Sequence, residues 1–310
     1  MWSDRIYRLV IFAVCMLAFG CQQHRPNERD PLTKIKIVAT TGMIADAVAN
    51  IVGEHGDVAA LMGPGVDPHL YKATHGDLER LTEADIIFYN GLHLEGKMGE
   101  VFEKLARLKP VVAVAEEIPG GMLREVPGFQ GAHDPHIWFD VRLWGQAVKG
   151  ISDFLQEYDS AHREDYRARS EAYIARLDSL DKSVRQSVLE IPETQRVLIT
   201  AHDAFGYFGD AYDIEVRGLQ GISTLSEFGL RDVTELVDFI ISRKVKAIFV
   251  ETSVSQKSIE AVMEGCQQKN WNVRIGGSLY SDAMGTAGTA EGDYIGMVNA
   301  NVKTIVESLK

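Results

Sequence analysis

The chain has 310 residues, 45% of them apolar and 25% charged, an ordinary globular balance and too long for a single hydrophobic core. Its net charge of −12 excludes partners held by positive charge, nucleic acid and anionic membrane surfaces among them. Three cysteines are too few for a disulfide framework.

The N-terminus has its own character. Arg5 and Arg8 precede the apolar run Leu9 to Phe19, which is too short to span a bilayer and reads as the core of an export signal over residues 1–20. Leu17-Ala18-Phe19-Gly20-Cys21 resembles the lipobox of bacterial lipoproteins, which implies that Cys21 is acylated and anchors the chain to a membrane. Ala18 and Phe19 depart from the usual side-chain sizes there, and an ordinary cleaved signal is the alternative. Cys15 leaves with the signal in either case, and Cys266 is left without a partner, reading as a buried thiol at a helix end. Residues 21–33 are then the modified cysteine and a flexible polar tether.

From Lys34 onward strands and helices alternate. Lys34–Thr40 is an entering strand, and Thr41-Gly42 opens a helix that runs to Val52. Strands follow at Val58–Met62, Ile86–Tyr89 and Val111–Ala115, with helices at Asp77–Leu81 and Glu100–Leu108 between them. Short apolar strands separated by helices predict a parallel sheet covered on both faces. Asp140–Tyr158 is a further helix, and residues 34–160 are expected to make an N-terminal α/β lobe.

The longest helical pattern, His162–Leu189, contains no Gly or Pro and carries Tyr166, Tyr173, Ile174, Leu177, Leu180 and Val184 at three- and four-residue steps. Residues 161–191 are therefore expected to link two lobes. Alternation restarts beyond Pro192, with strands at Val197–Thr200, Ile214–Val216, Ala247–Val250 and Val273–Ile275. Helices are predicted near Phe205–Ala211, Leu230–Ser242, Gln256–Cys266 and Gly292–Leu309, completing a lobe over residues 192–310. The expected fold is α/β: two (β/α) lobes with mainly parallel four-stranded sheets joined by one long helix. Ligands of such sheets bind beyond the carboxyl ends of the strands, which here face an interlobe cleft.

One tripeptide occurs twice, as Asp67-Pro68-His69 and Asp134-Pro135-His136. Proline fixes its own φ and disfavours helix in the residue before it, so each copy is a rigid corner presenting an imidazole. His202, after the strand at Val197–Thr200, and Asp282, after Val273–Ile275, are also placed near strand ends. Three imidazoles and one carboxylate would complete a four-donor cation site. A histidine past a strand is more often a satisfied loop residue, so spacing alone does not select these four. His133, His75 and His93 compete with them, whereas His24, His55 and His162 read as solvated. Glu251 reads first as the polar start of the next helix, with a supporting acceptor or an alternative ligand as the other readings.

Five segments in order resemble one family: Gly65–Tyr71, Tyr89–Glu95, Asp134–Asp140, His202–Phe208 and Leu279–Asp282. They look like the metal-binding receptors of ABC importers for zinc and manganese, the TroA/ZnuA/PsaA-like group, over Lys34 to Lys310. The resemblance implies Zn2+ or Mn2+ as a transported ligand held by His69, His136, His202 and Asp282. It also implies an ABC permease and its ATPase as partners, and a location outside the cytoplasm on the cell envelope. His202 stands where some manganese receptors carry Glu, and Met122–Gly131 lacks the His-rich loop usual in zinc-only members. This places the chain nearest receptors that accept both metals. It is expected to act as a monomer and not as an enzyme. The rival readings are an exported zinc metallohydrolase and a surface adhesin.

Overall fold

The structure, a computed structural model, describes residues 33–126 and 131–310. Cys15, Cys21, His24 and the expected signal and tether up to Pro31 lie outside the described residues. Among the described residues no helix is long and apolar enough to cross a membrane.

The N-terminal half is built on four strands: β1 (Ile35–Ala39), β2 (Gly56–Ala60), β3 (Ile86–Tyr89) and β4 (Val111–Ala113). They form one parallel sheet in the order β2-β1-β3-β4. Helices α1 (Gly42–Val52), α2 (His75–Glu83) and α3 (Gly99–Leu105) connect them. Ile35, Ile37 and Ala39 of β1 face a core shared with Met43, Ala47 and Ile51 of α1, the i, i+4 stripe that its sequence carries. β2 starts and ends two residues before the expected Val58–Met62. Backbone bonds from Leu61 and Met62 to Ala39 and Thr40 nevertheless continue the pairing toward the first corner.

Helix α2 begins two residues before the expected Asp77 because Thr74 is its N-cap in a reciprocal box with Asp77. The buried Asp77 carboxylate accepts from Tyr71 Oη (2.6 Å) and Thr74 N (2.8 Å) and also pairs with Arg80. Burial works to raise its pKa, but those bonds outweigh it and hold the carboxyl down at about 2. A depressed carboxyl stabilises the fold above its ordinary range near 4 and loses that contribution as pH falls toward 2. Asp77→Ala is expected to cost about 2 kcal/mol. Thermal unfolding at pH 7 and pH 3 checks this, the deficit being smaller in acid.

Two helices follow, α4 (Val141–Tyr158) and the 26-residue α5 (Arg163–Val188), about 39 Å long at 1.5 Å per residue. Helix α5 is the predicted long helix, and its buried Tyr166, Tyr173, Leu177, Leu180 and Val184 repeat the expected stripe. It touches both halves: Tyr173 Oη donates to Asp46 of α1 (2.8 Å), and Asp181 accepts from Tyr212 Oη (3.1 Å). His55 and His162 are not solvated as expected. Their rings stack at 3.9 Å, with Asp165 and Asp159 on them, because the α4–α5 corner folds onto the end of α1.

The C-terminal half contains β5 (Val197–His202), α6 (Gly206–Tyr212), β6 (Glu215–Gln220), α7 (Leu230–Ser242), β7 (Ala247–Glu251), α8 (Lys257–Gln268), β8 (Arg274–Leu279) and α9 (Tyr294–Leu309). All its pairings are parallel, but the strands form two pairs, β5-β6 and β7-β8, where one four-stranded sheet was expected. β5 and β7 run as neighbours. At their carboxyl ends Glu251 Oε1 of β7 takes the His202 N–H (2.9 Å), so a side chain stands where a ladder bond would form. The main core is continuous from Ile35 through α4 and α5 to Leu309 and includes residues of both halves.

Candidate metal centre

The repeated tripeptide folds the same way twice. His69 N donates to Asp67 Oδ1 (2.8 Å) and His136 N to Asp134 Oδ1 (3.0 Å). Each aspartate thus closes a short turn on the backbone two residues on, which proline's fixed φ favours. The second corner is braced further: Asn90 Nδ2 donates to Pro135 O (3.0 Å), Tyr207 Oη to Asp134 O (2.9 Å) and Arg124 to Asp134 Oδ2 (3.3 Å).

His202 is the last residue of β5, two beyond the predicted strand, so it lies on the sheet edge rather than past it. Longer β8 puts Asp282 three residues beyond its end at Leu279. The preceding Ser281 is tied across the molecule, its carbonyl accepting from Trp138 Nε1 (2.9 Å). Ser253 Oγ lies 2.8 Å from Ser281 Oγ and 3.4 Å from Asp282 Oδ2.

Among the described residues His69, His136, His202 and Asp282 form one group whose potential donor atoms all lie within 4.8 Å of one another. None of the four is more than 2% exposed. His69 Nε2 is 3.3 Å from His136 Nε2. Asp282 spans the other two rings, with Oδ1 3.5 Å from His136 Nε2 and Oδ2 3.3 Å from His202 Nε2. Four donors about 2.1 Å from a tetrahedral ion would stand about 3.4 Å apart. Beyond these ion-pair contacts, His202 Nε2 and Asp282 Oδ1 are buried and make no hydrogen bond to the described residues, which leaves their lone pairs open to a bound ion. The donor set therefore fits a divalent cation.

The environments of the rings differ. Asp134 Oδ1 lies 2.8 Å from His136 Nδ1, and Glu251 Oε2 lies 2.6 Å from His202 Nδ1. Burial works against charge on His136, but Asp134 and Asp282 outweigh it and push the ring up to about 9. Burial opposes charge on His202 as well, and Glu251 and then Asp282 raise it well above its ordinary value. His69 has no carboxylate at ion-pair distance among the described residues, and burial pushes it down to about 3. Burial would raise Asp282, but His202 and His136 hold its carboxyl well below the usual range.

Glu251 is not the start of a helix. It is the buried last residue of β7, and α8 begins only at Lys257. A carboxylate on the far nitrogen of a ligating ring fixes its tautomer and direction. Glu251→Gln is expected to weaken cation binding about 10- to 100-fold with the fold intact, measured by calorimetry against circular dichroism.

The competing histidines stand apart. His133 and His93 line a cavity of about 400 Å3 with Glu116, outside the cluster, and His75 pairs with Glu79 on the surface (3.3 Å). The Tyr89–Glu95 segment serves by support. Glu95 accepts from Thr40 Oγ1 (2.6 Å), Asn90 N (2.8 Å) and Gly91 N (3.3 Å), holding a turn whose Gly91 has φ +83°. Cys266 is buried and free, as expected. A cavity of about 280 Å3 bounded by Thr41, Asp46 and Met284 reaches Asp282 from outside.

A parallel α/β chain that gathers three imidazoles and a carboxylate at one buried point defines a metal-binding protein. Four protein donors would complete a tetrahedral shell, where a catalytic zinc keeps one position open. The chain belongs to the family described as "ZnuA: Zinc-uptake complex component A periplasmic", which matches residues 37–308. It is 51% identical over 278 residues to the manganese-binding lipoprotein MntA of Bacillus subtilis (strain 168), covering 89% of this chain and 90% of that one. It is 49% identical over 300 residues to the zinc-binding protein TroA of Treponema pallidum (strain Nichols), covering 95% and 97%. The solved structure of the periplasmic zinc-binding protein TroA from Treponema pallidum superposes with a TM-score of 0.87 at 50% identity, covering 89% of this chain and 99% of that one.

Proposed function

We propose that this chain captures a divalent transition metal, Zn2+ or Mn2+, outside the cytoplasm and delivers it to the permease and ATPase of an ABC importer. The observation that carries the reading is the buried set His69, His136, His202 and Asp282, with neighbouring donors 3.3–3.5 Å apart. In this reading the metal is cargo, and each residue of the set supplies one or more donor atoms. Residues 34–160 and 192–310 act as lobes on either side of the site, braced by the helix within 161–191. Cys21 carries the lipid that holds the monomeric receptor at the membrane, after removal of residues 1–20.

The metal's identity turns on Asp282. Three imidazoles suit zinc, while a carboxylate using both oxygens makes room for a fifth donor atom and for manganese. The two relatives near 50% identity carry one metal each in their names, manganese for MntA and zinc for TroA. The family is one of uptake components, so the hydrolase reading falls away, and nothing favours the adhesin reading over metal capture.

Transport tests the proposal. Cells deleted for this chain are expected to lose uptake of labelled Mn2+ or Zn2+ at low external concentration and to regain it with the native chain. Restoration by the His69→Ala, His202→Ala double variant at equal abundance would overturn the assignment of these ligands.

A further inference from the structure

The two Asp-Pro-His corners share a sequence, yet their aspartates do different work. Asp134 Oδ1 takes both the backbone N–H of His136 and a contact to its ring at Nδ1. Asp67 Oδ1 takes only the backbone N–H of His69, and its Oδ2 accepts a hydrogen bond from Thr224 Oγ1 at 2.7 Å. Thr224 lies 157 positions later in the chain, on the turn that follows β6.

That turn is itself well fixed. Ser226 N donates to Ser223 O (3.0 Å), Leu225 N to Ser223 Oγ (3.3 Å) and Gln220 Nε2 to Ser226 O (3.1 Å). Gln220 is the residue paired with His202 across β5 and β6. A connected series of bonds therefore runs from the corner of His69 to the strand neighbour of His202. The same corner meets the C-terminal half a second time, at Gly65, where a Cβ would stand 3.3 Å from Thr252 O. Thr252 directly follows Glu251, and its N–H is held by Leu279 O (2.9 Å).

We propose that the Asp67–Thr224 hydrogen bond is a clasp that seats the first corner over the bound ion and sets how long the ion stays. The clasp rests on the metal-binding function proposed above. His69 is 1% exposed and covers its own side of the cluster while this corner is seated. It is also the ring with no carboxylate at ion-pair distance among the described residues. Its direction is therefore set by its backbone turn and by what holds that turn down. Asp67 and Thr224 are positioning residues and touch the ion in neither role.

Thr224→Val removes the hydroxyl and keeps the shape, whereas Thr224→Ser keeps the hydroxyl. Each is loaded with Zn2+ or Mn2+ and chased with excess chelator by stopped flow, beside metal stoichiometry and thermal unfolding of the metal-free protein. Val is expected to release the ion about tenfold faster while still binding one, the factor expected for one charge-assisted hydrogen bond. Ser is expected to match the native rate, and Thr224→Ala to follow Val. An unchanged release rate in both hydroxyl-less variants, or equal acceleration in Ser, overturns the clasp while leaving metal binding in place. A native chain that takes up no ion overturns the metal-binding function and the clasp with it.

Discussion

Asp282→Ala is expected to lower affinity for the divalent ion about a thousandfold. Asp282 is the only anion among the four donors, and it lies against two imidazoles at once, 3.5 Å from His136 and 3.3 Å from His202. Binding energies of about 10–16 kcal/mol for four-donor zinc sites, shared over four ligands, give about 2.5–4 kcal/mol each, and the thousandfold loss takes the upper end because Asp282 carries the charge. Losing the carboxylate also leaves the imidazoles facing a 2+ ion with no neutralising group in direct contact. The fold is expected to survive, because Ser281, with its carbonyl on Trp138 Nε1, still ties this loop down. Competition against a chelator of known affinity measures the loss, and a change below tenfold would place the metal elsewhere.

Affinity is expected to fall steeply in acid, by about a hundredfold for each pH unit over the range in which both raised rings carry a proton, since each must lose it to bind. The sign follows from the raised rings. His136, pushed up to about 9, and His202, raised well above its ordinary value, hold protons in the metal-free protein across the neutral range. An incoming ion must displace both, whereas His69, pushed down to about 3, is already free to bind. In the metal-free protein the charged His136 contributes stability that is complete below about 6.5 and lost as pH rises through 9. Acid thus favours the empty form. Calorimetry in buffers of different ionisation enthalpy is expected to count about two protons released per ion at pH 7. A count near zero would mean that neither ring is protonated in the empty protein.

Local rules made much of this molecule readable. Proline and aspartate dictate the same turn wherever Asp-Pro-His occurs, so both corners could be placed before any fold was known. Apolar periodicity located the long helix to within a residue at each end, because its buried stripe is unbroken over 26 residues. Strand ends were harder. β5 extends to His202 through Thr200, and a polar residue in a wholly buried strand reads as an ending when it is a partner within the core. Glu251 was ambiguous for a related reason: a carboxylate after an apolar strand looks like a helix start. Five residues intervene before Lys257, and that gap argues against an N-cap. The stacking of His55 on His162 and the bond from Thr224 to Asp67 join segments far apart in the chain. No periodicity or turn chemistry encodes such pairs.

X-ray absorption at the metal edge, on native and His136→Ala protein loaded with one equivalent of Zn2+ or Mn2+, reads the donor set of the bound ion itself. One ion with three imidazole nitrogens and one or two carboxylate oxygens is expected in the native chain, and one imidazole fewer, or no bound metal, in the variant. A native spectrum dominated by water oxygens, or one that His136→Ala leaves unchanged, would contradict it.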